Sequence, residues 1–141
     1  MDIRAQIDDY IKSQSEAKSL EIQMLHDLIV AENRGGKLWF SDGRNEEGKI
    51  VSNPNIGYGA YTIKYADGST KEFFRIGLSA NKSGISVYVL GLDDKSYLTN
   101  MIGDTIGKAS VTGYCIKFKS TNDIDTNVLM SAIRHGFQLD I

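Results

Sequence analysis

The chain has 141 residues, with 16 Lys and Arg against 18 Asp and Glu, a net charge of −2 and 41% hydrophobic residues, so it suits a single domain over 1–141 that buries about two thirds of its unfolded surface without metal or disulfide help. A balanced charge and a pI near 5.6 leave no global field to draw it onto nucleic acid or an anionic membrane, so neither is an expected partner. The lone Cys115 cannot form an internal disulfide, and the start MDIRAQIDDY has no apolar run, so no signal peptide or transmembrane helix is expected and the cytoplasm is the expected compartment.

Ile3, Ile7, Tyr10 and Ile11 share one helical face with Asp8 and Asp9 opposite, which predicts a short amphipathic helix ending near Ser13. Ser15 is a natural N-cap for a longer helix to about Ala31, with Ile22, Leu25, Leu28 and Ile29 on its stripe and Gly35-Gly36 as its stop. The two should form a helical hairpin. Lys37 to Phe40 reads as a short extended segment, and the polar run from Ser41 to Asn53 as a mobile loop or marginal hairpin.

From Asn55 to Leu90 the chain reads as consecutive antiparallel strands. Alternation over Gly59–Tyr65 and Lys71–Ala80, joined by Ala66-Asp67-Gly68-Ser69, predicts a tight hairpin, and a second follows at Asn81-Lys82-Ser83-Gly84. With period 2, one face collects Tyr61, Ile63, Tyr65, Phe74, Ile76, Leu78, Ile85, Val87 and Val89 as core. The other collects Thr62, Lys64, Phe73, Arg75, Ser86 and Tyr88. Asp93 or Asp94 can cap a short helix to Met101 or Ile102, closed by Gly103. Val111–Lys119 reads as a fourth long strand, and Asp125 caps a last helix bearing Val128, Leu129, Ala132, Ile133 and Phe137. The predicted fold is α+β in two layers: an antiparallel sheet of about four to five strands, with the helical hairpin and the C-terminal helix on one face.

No catalytic motif is found. Gly103-Asp104-Thr105-Ile106-Gly107-Lys108 has three rather than four residues between its glycines, and a strand follows it, so it is not a phosphate loop. Gly57-Tyr58-Gly59 lacks the third glycine of a dinucleotide site. His26 has Ile22 and Val30 four residues away on either side, and His135 has only Ser131 and Gln138 as near polar neighbours, so no helical metal pair exists. Asp8, Asp9, Glu16, Glu21, Asp27 and Glu32 offer hard oxygen ligands, but solvated helix faces are the simpler reading. Cys115, between Tyr114 and Ile116, reads as a structural thiol.

The least bland surface is the second sheet face, where Lys64, Phe73, Arg75, Tyr88 and, in the same strand phase, Lys117 mix rings with cations, with Trp39 and Lys108 at its rim. Such a surface stacks a planar or anionic ligand, or seals a homodimer; a wet sheet face is the plain alternative. Lys64, Arg75 and Lys117 converging would need an anion or a partner's acid between them.

Several motifs, Gly57-Tyr58-Gly59-Ala60-Tyr61, Gly77-Leu78-Ser79, Val87-Tyr88-Val89 and Gly107-Lys108 leading to Tyr114-Cys115-Ile116-Lys117, resemble the YdhG-like family of small bacterial domains of unknown function, over roughly Leu20 to Gly136. The resemblance implies helices on one side of an antiparallel sheet. Some relatives are described as frataxin-like iron chaperones that bind iron through carboxylates, which would point here to Asp8 and Asp9. The polar Ser41–Asn53 segment departs from the family, whose members run on directly from a tryptophan like Trp39. The expected function is a non-enzymatic binding or interaction module for a small anionic ligand or a protein partner, needing no cofactor. An intracellular iron-binding chaperone and a small enzyme without a recognisable motif are the alternatives.

Overall fold

A computed structural model describes residues 2–33 and 36–138; Gly35 of the expected helix stop lies outside them. Helix α1 (Ile3–Lys12) begins where the Asp2 carboxylate accepts from the Ala5 amide at 2.8 Å, and α2 (Glu16–Glu32) where the Ser15 hydroxyl accepts from Lys18 N. Both starts satisfy amides that have no partner inside the helix. Ile7, Tyr10 and Ile11 of α1 and Ile22, Leu25 and Ile29 of α2 are buried, whereas Leu28, expected on that stripe, is exposed.

Six strands form one fully antiparallel sheet, in the order β1 (Leu38–Ser41), β2 (Asn55–Tyr58), β5 (Ile76–Asn81), β6 (Gly84–Val89), β8 (Cys115–Phe118), β7 (Ser110–Val111). Strands β3 (Tyr61–Lys64) and β4 (Thr70–Phe73) make a separate two-stranded ribbon, closed by the Asp-Gly turn the sequence predicts. The ribbon is an excursion: the chain leaves β2, makes β3 and β4, and returns as β5 beside β2. Helix α3 (Tyr97–Ile102) precedes the β7–β8 hairpin, and α4 (Thr126–Gln138) starts where Asp125 accepts from the amides of Asn127 and Val128.

Residues of even parity in β5, Ile76, Leu78 and Ala80, and of odd parity in β6, Ile85, Val87 and Val89, face the helices and are buried with Ile56, Tyr58, Ile116 and Phe118. Tyr10 ties α1 to the sheet, its hydroxyl taking the Ala80 amide at 2.8 Å. Glu21 of α2 reaches the other end of the chain, where one oxygen accepts from Ser120 Oγ, Thr121 N and Thr121 Oγ1 at 2.6–2.8 Å.

The α+β class and the one-sided helices agree with the sequence, and the strand count exceeds the expected four to five. Three expectations need correction. The stretch Lys71–Ala80 is not one strand: it breaks at Phe74 and Arg75, so Tyr61, Ile63 and Tyr65 lie on the ribbon rather than on the core face. Phe74 faces away from the helices and lies over Gly57 and Gly77, which sit opposite each other in β2 and β5; a Cβ on either would come within 2.7 Å of it. Val111–Lys119 is a hairpin of two short strands, turned at Thr112-Gly113-Tyr114, with Thr112 N donating to Cys115 O at 2.9 Å. The Ser41–Asn53 segment forms an irregular hairpin with a single bridge between Arg44 and Ile50, while Asn45 Oδ1 accepts from the amides of Glu47 and Lys49.

Core parity makes the first testable claim. Ile76 is fully buried and Thr62 exposed, so Ile76→Ala should cost about 2–5 kcal/mol in urea unfolding while Thr62→Ala stays within about 0.5 kcal/mol. Equal losses would refute the assignment of Ile76 to the helix-covered face.

Candidate functional site

With helices on one side, the other side of the sheet divides into two regions. At one end Phe74 caps the glycine pair, its ring 4.2 Å from that of Phe73, and Trp39 packs edge-on to Phe73 at 6.2 Å. The Trp39 indole donates to Gly59 O at 2.7 Å, with the Lys37 ammonium 4.1 Å above the ring. This end is closed by its own aromatic side chains.

At the other end lies a groove of about 530 Å³, lined among others by Asn81, Ser86, Lys108, Ser110, Lys117, Lys119 and Asp123. Alternation in β8 turns Ile116 and Phe118 into the core and Lys117 outward, opposite Ser86 of β6 and Ser110 of β7. Lys119, two residues on, keeps the same parity. Lys108 arrives from the turn after α3, held where its amide donates to Asp123 O at 2.9 Å. Among the described residues none of the three ammonium groups has a hydrogen bond or ion pair; the ion pairs there are Lys37 with Glu72 and Arg134 with Glu32. Three cations around one carboxylate, over a floor of hydroxyls, leave positive charge for an anion to neutralise.

The residues expected to form one site are therefore divided. Lys117 and Lys108 share the groove. Lys64 and Phe73 lie on the β3–β4 ribbon, outside the six-stranded sheet. Arg75 is only 4% exposed: its guanidinium donates to Leu90 O at 2.7 Å and lies 4.4 Å over the Tyr61 ring, so it fastens the ribbon and the end of β6 together. Convergence of Lys64, Arg75 and Lys117 fails because the break at Phe74 and Arg75 ends the strand parity that linked them. Trp39 belongs to the aromatic end. Tyr88 stands beyond the groove, stacked on Tyr114 at 6.3 Å, and burial raises its pKa. Beside it Cys115 is buried, which pushes its thiol pKa up despite the nearby Lys117, so it stays a thiol.

Sequence reading missed Lys119, Asn81 and Ser110 as groove residues. The signal for Lys119 was present in its alternation with Lys117; Asn81 and Ser110 come from strands whose neighbours only the fold reveals.

A second cleft, about 560 Å³, lies between α1, α2 and β1, lined by Arg4, Asp8, His26 and Asn33 with Ile7, Val30 and Leu38. His26 Nδ1 is 2.7 Å from the hydroxyl of Tyr58, a fully buried residue whose pKa burial raises well above the ordinary value. Tyr58 therefore keeps its proton and shares one hydrogen bond with Nδ1, the donor being set by the imidazole tautomer. Asp8 lines this cleft, while Asp9 is exposed on α1. Of the other carboxylates weighed for metal, Glu21 and Glu32 are engaged by Ser120, Thr121 and Arg134, and among the described residues no three of His, Cys, Asp and Glu are grouped to hold an ion.

Comparison with protein-family models, with curated proteins and with solved structures finds no match to this chain. No helix among the described residues is long and apolar enough to cross a membrane.

Burial lowers the His26 pKa below 6.5, with Asp27 and Asp8 pulling weakly the other way. In the window just below that value the unfolded chain binds the proton more readily, so stability should fall as pH drops through it. His26→Asn keeps an acceptor for Tyr58 and removes the titration. Urea midpoints between pH 7.5 and 5.5 should slope less in the variant; parallel slopes would exclude His26 as their source.

Proposed function

We propose that this protein is a non-enzymatic binding module that takes a small anionic ligand in the groove between β6, β8 and β7. The observation that carries this reading is the set of three lysines, Lys108, Lys117 and Lys119, which surround one groove with no partner among the described residues. Three like charges lining one groove with a single acid between them repel one another, and an anion relieves that cost. Ser110, exposed opposite Lys117, supplies a hydroxyl for the ligand's remaining oxygens, while the buried Ser86 accepts from the Asn81 amide and holds it in the groove wall.

Asp123 is the one acid among the groove's lining residues, against Lys108, Lys117 and Lys119, a net balance that suits a ligand of two or three negative charges better than a polyanion. The YdhG-like resemblance of the strand motifs supports grouping the chain with small one-domain proteins of this architecture, and a cytoplasmic site of action accords with its lone reduced cysteine.

Calorimetric titration at low ionic strength with inorganic phosphate, pyrophosphate and citrate tests the proposal. At least one of these should bind, and Lys117→Ala or Lys108→Ala should each weaken it about tenfold, the effect of one charge-assisted hydrogen bond. Lys64→Ala, on the ribbon, should leave it unchanged. Absence of heat with all three anions, or equal affinity in the Lys117 and Lys64 variants, would overturn the assignment.

A further inference from the structure

Helix α2 carries two apolar stripes, and only one meets the core. Ile22, Leu25 and Ile29 are buried, but Ala17, Leu20, Met24, Leu28 and Ala31 form a second ridge on the opposite side, all exposed. Leu20 is 70% exposed, Met24 40% and Leu28 39%. At 100° per residue these five lie within about 40° of Met24, and at 1.5 Å per residue the ridge runs about 21 Å. The other long helix shows no such pattern: the exposed positions of α4 include Asn127, Arg134 and Gln138. Solvated helices keep one apolar stripe, and a helix that is apolar on opposite sides has partners on both.

The charges beside the ridge select the partner. Glu16 and Asp27 flank it on one side, both exposed; Glu21 and Glu32 flank it on the other. Glu21 and Glu32 are already engaged by Ser120, Thr121 and Arg134, whereas Asp27 receives only the uncharged Gln23 amide and Glu16 has no partner among the described residues. The single lysine of the helix, Lys18, points elsewhere and gives its ammonium to Asn81 O at 2.6 Å. A second copy laid along the ridge would therefore bring the uncompensated Glu16 and Asp27 against acids of its mate, and the base at that edge, Arg134, is already held by Glu32. An anionic membrane surface would be repelled in the same way.

We infer that the outer ridge of α2 docks an amphipathic helix of another protein, one whose apolar stripe is bordered by Lys or Arg. Leu20, Met24 and Leu28, spaced by four, offer the anchors that such a helix meets through its own i, i+4 residues, and Glu16 and Asp27 fix its orientation. This surface is separate from the anion groove and stands without it.

The test uses the full chain and two labelled 18-residue peptides with the same leucine spacing, one with Lys and one with Glu at the flanking positions, read by fluorescence anisotropy. The Lys peptide should bind at least tenfold tighter than the Glu peptide and lose affinity as salt rises. Leu20→Ser combined with Leu28→Ser should weaken it at least tenfold. A matching thermal melt for each variant, expected from the exposure of both leucines, excludes unfolding as the cause. Equal affinity for the two peptides, no binding of either, or affinity unchanged in the double variant overturns the inference. So does a wild-type dimer in light scattering that Leu20→Ser dissociates, which would make the ridge a self-association seam.

Discussion

The contact on which the architecture turns is Phe74 over the facing pair Gly57 and Gly77. An aromatic ring cannot lie flat on a sheet where side chains stand up from it, and here two neighbouring strands each present a residue without one. The ring covers the bare backbone on the side away from the helices, where no other core element reaches. Arg75 then secures the same turn from within: its amide donates to Tyr58 O, its carbonyl accepts from Leu90 N, and its guanidinium reaches Leu90 O. Gly91 leaves room for that guanidinium, since any Cβ there would overlap Nη1. Together these two residues let the chain make an excursion of seventeen residues, 59–75, and still return beside the strand it left.

This arrangement gives the sheet a divided outer side. Where the aromatic side chains gather, the rings of Trp39, Phe73 and Phe74 cover the sheet; where the strands shorten toward β7, the surface is left to serines, an asparagine and lysines. The groove between β6, β8 and β7 lies on the part of the sheet that Phe74 does not cover. The turn that brings Lys108 to Asp123 borders it beyond the edge strand. Ser86 and Ser110 hold fixed positions on either side of Lys117 because strand register sets them.

Much of the fold was legible in the chain. Helix starts at Ser15 and Asp125 follow from capping chemistry, and the buried positions of β5 and β6 follow from alternation. The failure that moved the site has one cause. Phe74 and Arg75 continue the alternation of their neighbours, so nothing in period 2 marks them as the place where one sheet ends and another begins. What distinguishes Phe74 is the bare backbone it covers at Gly57, seventeen positions earlier, and the pairing of Gly57 with Gly77 that creates it is a property of the folded chain alone. The site inherited that error: Lys117 and Lys108 were recognised, while Arg75 and Lys64 were drawn in by a continuity that Phe74 interrupts. The second stripe of α2 was also open to reading, but Leu28 was assigned to the core because it fits a three-and-four spacing with either set of neighbours.

The bonds from Glu21 to Ser120 and Thr121 join residues 99 and 100 positions apart. During synthesis at roughly 5–20 residues per second, Glu21 leaves the ribosome about 5–20 s before its hydrogen-bond donors exist. In that interval the strands from β1 to β6 are made, so α2 can meet the sheet before Glu21 meets Ser120 and Thr121. The Glu21 bonds are thus a late clasp, closed over a helix and a sheet that already exist.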